Sequence, residues 1–403
     1  MEVTIERILP GGLGLAHADG RTVMVALAAP SDRVRVSIDR VKGNVAFASI
    51  EEILEPSPVR VAPPCQYFGR CGGCDFQQLT YQAQLDAKVE IIKDCLRRIG
   101  RVENVPGFQI TPAPNPWHYR TRAQWQYDSI RRRLGYFQSG SRHVCDVEEC
   151  AVLAPELQQT LSGLRERTSD GSLPEDARDF RAVAGDEAVS IAPPVRGSSP
   201  TVTKGPARRG TSPTRGPQTG SPAGVGAVRE GSDLTVRDVT RTIRGERYSL
   251  NAESFFQAND DLLPQLIDAA LNEASGETAV ELYCGVGLFT VPLTRRFARA
   301  NLASANLKNA QVINQDVGAR LEEKSFPDFL LLDPPRTGAE SHVIRGILNL
   351  KPKRISYVSC DPATLARDLR KLIAGGYTLD SIAAFDMFPQ THHVETVACL
   401  ATA

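Results

Sequence analysis

The 403-residue chain has no net charge, since 47 Lys and Arg face 47 Asp and Glu. No overall field draws it to a polyanion, and a nucleic-acid partner has to be argued from local patches. It has no apolar run near membrane-spanning length and no basic-then-apolar start, so no membrane association is expected, and the cytoplasm is the expected compartment. Its nine cysteines are an odd number without an export signal, which reads as thiols, metal ligands or catalytic groups and not as a disulfide framework. Acidic residues are missing from two long stretches. None occurs between Glu187 and Glu230, where Pro, Gly, Ser, Thr and Arg dominate from about 193 to 232. Such a segment has no apolar burial to offset its ordering entropy and reads as a mobile basic insertion. None occurs between Glu281 and Asp316 either.

The length suggests two or three domains. Residues 1–58 alternate apolar and polar positions in short runs separated by turns, with Gly11, Gly12 and Gly14 between the first two runs, and predict a small OB-like β-barrel beside Arg33, Arg35, Arg40 and Lys42. Residues 59–245 carry Cys65-x5-Cys71-Gly72-Gly73-Cys74, followed some seventy residues later by Cys145 and Cys150. Three cysteines so close are not core packing. The paired glycines let the backbone fold sharply enough for neighbouring thiolates to face one centre, and a fourth ligand must come from afar. Zinc and an iron–sulfur cluster both accept four thiolates, and spacing does not choose between them. Cys95 falls on an amphipathic helical pattern from about Leu79 to Ile99 and reads as a packed helix residue. Between the cysteine groups, Trp117, Tyr119, Arg120, Arg122, Trp125, Tyr127, Arg131, Arg132, Arg133 and Tyr136 interleave rings with guanidiniums, a pattern suited to splayed single-stranded RNA. A strand pair with an arginine-rich exposed face is the plainer reading.

Residues 246–403 carry the chemistry. Ala279 to Gly287 reads as strand, G-x-G turn and helix start, the layout that lets Gly285 and Gly287 press backbone against a nucleoside cofactor. Thr290 stands where a nicotinamide-binding fold would have its third glycine. The next strand should end in an acidic residue about 20 positions on, to clamp the ribose hydroxyls. The acid-free stretch contains no such residue, so the sheet reads as one strand short. Asp333-Pro334-Pro335-Arg336 follows the apolar run Phe329 to Leu332, which places the Asp333 carboxylate at the carboxyl end of a buried parallel strand. Cys360 ends another apolar run, and Glu395 lies about one strand beyond it. Together they form a nucleophile and base pair.

Asp333-Pro334-Pro335-Arg336-x-Gly338, Tyr357-Val358-Ser359-Cys360 and the stretch Phe385 to Glu395 resemble the signatures of the RNA uridine-5-methyltransferases, over the C-terminal third of the chain. With the barrel and the Cys71-Gly72-Gly73-Cys74 group followed by Asp75-Phe76-Gln77, the chain resembles the branch that acts on 23S ribosomal RNA and carries an RNA-binding TRAM domain and a [4Fe-4S] cluster. The resemblance implies three parts in a multidomain α/β chain: a TRAM barrel, a central α+β iron–sulfur domain, and a Rossmann-like methyltransferase domain from 246 onward. It implies S-adenosylmethionine as methyl donor, contacted at Gln257, Tyr283 and Asp333 and at the Gly285–Gly287 turn. It implies Cys360 as nucleophile and Glu395 as base. Cys65, Cys71, Cys74 and Cys150 would hold the cluster, with Cys145 in reserve for the fourth place, and ribosomal RNA would be the partner of a monomeric protein. Two other functions are to be weighed: a non-catalytic RNA-binding iron–sulfur protein with an impaired cofactor site, and a transfer-RNA uridine-5-methyltransferase. Asp361 stands where the family commonly has Asn.

Overall fold

A computed structural model describes residues 1–195, 235–272, 276–299 and 327–402. Most of the basic insertion and the strand expected near Gln311 lie outside them. Six strands form the first sheet: β1 (Glu2–Thr4), β2 (Arg7–Ile8), β3 (Gly14–Ala18), β4 (Arg21–Val25), β5 (Arg33–Lys42) and β6 (Val45–Glu55), in the order β1-β5-β6-β4-β3-β2. Alternate residues point inward, as a two-residue period demands. Val23, Val25, Val34, Val36, Ala46 and Ala48 fill a core of their own. Asp32, fully buried, accepts from the backbone of Ala29 and Ser57 and pairs with Arg60, which fastens this unit to the chain that follows.

Helix α1 (Tyr81–Arg98) starts at Thr80, whose hydroxyl accepts from the Ala83 N–H, and ends with Arg97 and Arg98 against its carbonyls. Its buried face (Ile91, Ile92, Cys95, Leu96) joins the same core as Leu330, Leu365 and Leu369 of the C-terminal part. Strand β7 (Ile110–Thr111) likewise adds to the far edge of the C-terminal sheet. Both lie within the stretch 59–245 expected to form the central domain, but they are built into the C-terminal sheet and its core. The central sheet itself contains β8 (Arg122–Asp128), β9 (Arg133–Phe137), β10 (Val144–Asp146), β11 (Asp179–Ala184) and β12 (Val189–Ala192), ordered β10-β9-β8-β11-β12. Helix α2 (Pro155–Asp170) covers it with Leu157, Leu161 and Leu164. A separate hairpin, β13 (Val239–Ile243) with β14 (Glu246–Leu250), leads into the C-terminal part.

There, β15 (Gly276–Leu282), β16 (Phe297–Arg299), β17 (Phe329–Leu332), β18 (Arg354–Ser359), β19 (Tyr377–Phe385) and β20 (Glu395–Thr402) join β7 in one sheet ordered β16-β15-β17-β18-β20-β19-β7. β15, β17 and β18 run parallel, and β20 is antiparallel to β18 and β19. All four residues of β17 are buried. Leu330 and Leu332 face one core, Phe329 and Leu331 the other. A sheet covered on both faces requires that continuous apolar run. The covering helices are α3 (Leu263–Leu271), α4 (Thr290–Thr294), α5 (Ser341–Leu350) and α6 (Pro362–Ala374). Among the described residues no helix is long and apolar enough to cross a membrane.

Candidate active site and neighbouring cysteine cavity

Ligands in open α/β sheets bind beyond the carboxyl ends of the strands. Four reactive side chains stand there on adjacent strands. Glu281 lies one residue before the end of β15, Asp333 directly follows β17, Cys360 follows β18, and Glu395 opens β20. Ser359 pairs with Thr396 in the β18–β20 ladder, so one further antiparallel step sets Cys360 opposite Glu395. Directly opposed side chains in such a ladder have Cβ atoms about 4.5–5.5 Å apart. Burial pushes the Cys360 thiol up to about 12, and the Glu395 carboxylate adds to the shift, while Arg336 opposes it. Glu395 is 1% exposed and neither of its oxygens has a hydrogen-bond partner among the described residues. Burial and then Asp333 raise it well above the usual carboxylate range, again against Arg336. Asp333 is itself pushed up to about 7 by burial.

The loop carrying Asp333 and Arg336 is fixed from α6. Asp368, fully buried, accepts from the Ala339 N–H at 2.9 Å and from the Tyr357 hydroxyl at 2.9 Å, and Arg367 donates to the Thr337 carbonyl at 3.0 Å. Gly338 has φ +75°, and a Cβ there would meet Arg367 at 2.5 Å and Asp368 at 2.6 Å, so only glycine fits. Asp361 caps α6 by accepting from the Thr364 N–H at 2.8 Å, an acceptor role that an asparagine oxygen fills equally.

At the end of β15 the backbone turns sharply. Tyr283 takes a left-handed φ of +64°, rare for a side chain of that size and a mark of a functional turn, and Gly285 and Gly287 follow at +52° and +88°. Gln257 is buried in the segment between β14 and α3. Its neighbour Phe256 shares a core with Leu288 and Phe289 just beyond the glycine turn. Glu281 was not singled out from sequence. Burial pushes it up to about 8, Thr290 opposes the shift and Asp333 adds to it, and its Oε2 has no partner among the described residues. An acid on an apolar strand just before a glycine turn was the available signal.

Cys65, Cys71, Cys74 and Cys150 line one cavity, with Arg120 and Tyr136. Cys145 sits on β10 in the core of the central sheet and does not line it. Burial raises Cys74 to about 12 and Cys71 to about 11, and it raises Cys150 too. The buried Arg120 opposes the shift at Cys74 and Cys150. Among the described residues no three His, Cys, Asp or Glu side chains converge on a point that a single metal ion would fill.

The cysteine segment grips the loop between β19 and β20. The Asp75 and Phe76 N–H groups donate to the Gln390 carbonyl at 3.1 and 3.0 Å, and the Asp75 carboxylate accepts from the His392 N–H at 2.8 Å and pairs with the His392 ring. Gln84 of α1 exchanges two hydrogen bonds with Gln390, at 2.9 and 3.0 Å. Lys88, fully buried, pairs with Asp386 and donates to the Phe388 carbonyl at 3.1 Å. His393, beside Phe388, is held down to about 3, chiefly by burial.

Several of the aromatic residues proposed for RNA stacking are placed elsewhere. Tyr119, Trp125 and Tyr127 are buried. The two-residue alternation of β8 sends Trp125 and Tyr127 into the core and turns Arg122, Gln124 and Gln126 outward.

Residues 232–317 and 302–403 match the family model described as tRNA (Uracil-5-)-methyltransferase. An RNA methyltransferase of Thermotoga maritima, named without a more specific activity, is 32% identical over 447 aligned positions, covering 99% of this chain and 98% of the relative. The 23S rRNA (uracil(1939)-C(5))-methyltransferase RlmD of Alkalilimnicola ehrlichii is 31% identical and covers 98% of this chain and 95% of its own. The crystal structure of Pyrococcus abyssi tRNA (uracil-54, C5)-methyltransferase in complex with S-adenosyl-L-homocysteine superposes with a TM-score of 0.69 at 24% identity, over 100% of this chain and 99% of that one.

Proposed function

Because this chain belongs to the RNA (uracil-5-)-methyltransferase family, enzymes that use S-adenosylmethionine, we propose that it methylates carbon 5 of a uridine in 23S ribosomal RNA through a covalent adduct on Cys360. The observation that carries the reading is the register that sets Cys360 opposite Glu395, beside Asp333. Carbon 5 of uracil is a weak nucleophile. Addition of the Cys360 thiolate to carbon 6 makes an enolate whose carbon 5 can form the new bond. When bound, S-adenosylmethionine would supply the methyl group as an electrophile, with S-adenosylhomocysteine as the leaving group. Glu395 then takes the carbon 5 proton, the carbon 5–carbon 6 double bond re-forms, and the thiolate is expelled. Burial raises the pKa of both groups, and Arg336 is the cation that favours the ionised forms the reaction needs. The target base must leave its stack to reach the thiol, which favours a loop or single strand.

Gln257, Tyr283, Asp333 and the Gly285–Gly287 turn are the proposed cofactor contacts. Without a ribose-clamping acid the affinity for S-adenosylmethionine should be weak, since each lost charged hydrogen bond removes roughly 1.5–3 kcal/mol. Calorimetric binding in the low-micromolar range would defeat the expectation of weakness.

For a [4Fe-4S] cluster the residues fit. Cys65, Cys71, Cys74 and Cys150 share one cavity, and the buried Arg120 guanidinium would balance the negative charge of thiolates. When bound, the cluster would pin these segments together. We assign the N-terminal sheet as a TRAM domain and the protein as a cytoplasmic monomer.

Ribosomal RNA is favoured over transfer RNA by the RlmD relative, which is more similar in sequence than the transfer-RNA enzyme. Mass spectrometry of RNA from a deletion strain tests the choice. Loss of one 5-methyluridine from 23S ribosomal RNA is expected. Loss from transfer RNA alone would transfer the activity there, and no loss from either would support the non-catalytic alternative.

A further inference from the structure

The outward row of β8 begins at the catalytic part. The Arg122 guanidinium stands 5.7 Å from the centre of the exposed Phe255 ring, two residues before Gln257, and the Thr121 N–H donates to the Ala258 carbonyl at 2.9 Å. Gln124 and Gln126 continue the row at about 6.6–6.8 Å per two residues. The row ends in a concavity of about 380 Å³ between the sheet and the cysteine segment, walled by Gln124, Gln126, Phe137, Gln138, Gly72 and Gly73. Phe137 is 41% exposed. Arg181 of β11 lies across the ladder from Gln124. Within the described residues no hydrogen bond is formed by the amides of Gln124 or Gln126.

We propose that this concavity is a second recognition subsite, which takes a splayed nucleobase of the RNA substrate some distance along the strand from the target uridine. The inference rests on RNA being the substrate. Two free amides, each with a donor and an acceptor, suit the edge of a base, and an exposed ring suits its face. Gly72 packs so close to the neighbouring strand that a Cβ there would meet the Phe137 carbonyl at 3.0 Å, which fixes that wall of the concavity. Arg122 and Arg181 flank the path where the sugar–phosphate chain would run. A peptide would find no row of unpaired backbone groups here, because β8 is paired on both sides. The concavity shares Gly73 and Tyr136 with the cysteine-lined cavity, so whatever fills the one shapes a wall of the other.

The test uses the full chain, with iron content checked, and RNA fragments bearing the target uridine and one abasic residue scanned along the sequence. RNA binding is followed by fluorescence anisotropy and methylation in parallel. Gln124→Ala with Gln126→Ala, and separately Phe137→Ala, should weaken RNA binding and raise KM for RNA at least tenfold, with kcat at saturating RNA unchanged. One abasic position should weaken binding to the wild type by a similar factor and bring no further loss to the variants. Unchanged affinity in both variants, or effects that multiply at every abasic position, would overturn the subsite. If the wild type binds RNA but methylates none, the methyltransferase reading fails while anisotropy still decides the subsite.

Discussion

In the proposed mechanism Cys360 and Glu395 divide the chemistry between them, and their variants should fail in different ways. Cys360→Ala should abolish methylation and any covalent adduct with RNA containing 5-fluorouridine, because no bond to carbon 6 can form. Glu395→Gln keeps the thiol but removes the proton acceptor, so an enzyme–RNA adduct should accumulate on ordinary RNA and be visible on a denaturing gel. Full turnover by the Glu395 variant would reassign the base. The thiol, pushed up to about 12, ionises only as pH rises. Its alkylation by iodoacetamide should therefore climb through pH 7 to 10 without a plateau. Arg336 favours the thiolate, so Arg336→Ala should slow the reaction at every pH in that range, and an unchanged rate would deny the guanidinium that part. At this scale the sequence pointed to the residues that the sheet brings to one edge. Asp333 and Cys360 follow the carboxyl ends of the parallel β17 and β18, and Glu395 opens the antiparallel β20 at that same edge. Glu281 was missed because a strand acid reads as an exposed position until the neighbouring strands are known.

Among the elements, α1 shows what periodicity can and cannot tell. Its amphipathic pattern and Thr80 cap were visible, but its partner was not, because the layer it covers is made nearly 300 residues later. Lys88 is the sharpest case. A lysine on the helix reads as solvated, yet it is fully buried, burial lowers its pKa, and Asp386 opposes that shift. Removing one member of such a pair leaves a charge buried without its partner. Lys88→Met should lower stability by about 3–5 kcal/mol in urea unfolding, and a double variant that also replaces Asp386 with Leu should recover part of that loss. No recovery would mean that the helix is held by its apolar face alone. The aromatic pattern between Trp117 and Tyr136 misled for a related reason: rings two residues apart on a strand share a face, and here that face is the core.

For the whole molecule, three larger sheets and one two-stranded hairpin are described, and the chain does not divide at the expected edges. β7 and α1 cross from the central stretch into the catalytic layer, and Asp75, Gln84 and Lys88 fasten the loop ahead of Glu395. Sequence reading sees a boundary where composition shifts and cannot see a strand of two residues join a distant sheet. The cysteine cavity is therefore mechanically continuous with the active site. Anaerobically purified protein should be brown and carry about four irons per chain. Cys150→Ser should lose the iron and Cys145→Ser should keep it; stoichiometric zinc with no iron, or iron loss only on changing Cys145, would reverse the respective assignment.

The grip of α1 on the last loop also sets a clock. Lys88 and Asp386 are 298 residues apart, and at roughly 5–20 residues per second the ribosome needs on the order of 15–60 s to make the second after the first. Until β17, β18 and α6 are made the helix lacks most of the layer it covers, and throughout the interval its lysine lacks Asp386. A chain released before β17 remains in that condition, with an apolar helical face open to proteases and chaperones, so termination that early yields a substrate for degradation and not a partly active enzyme.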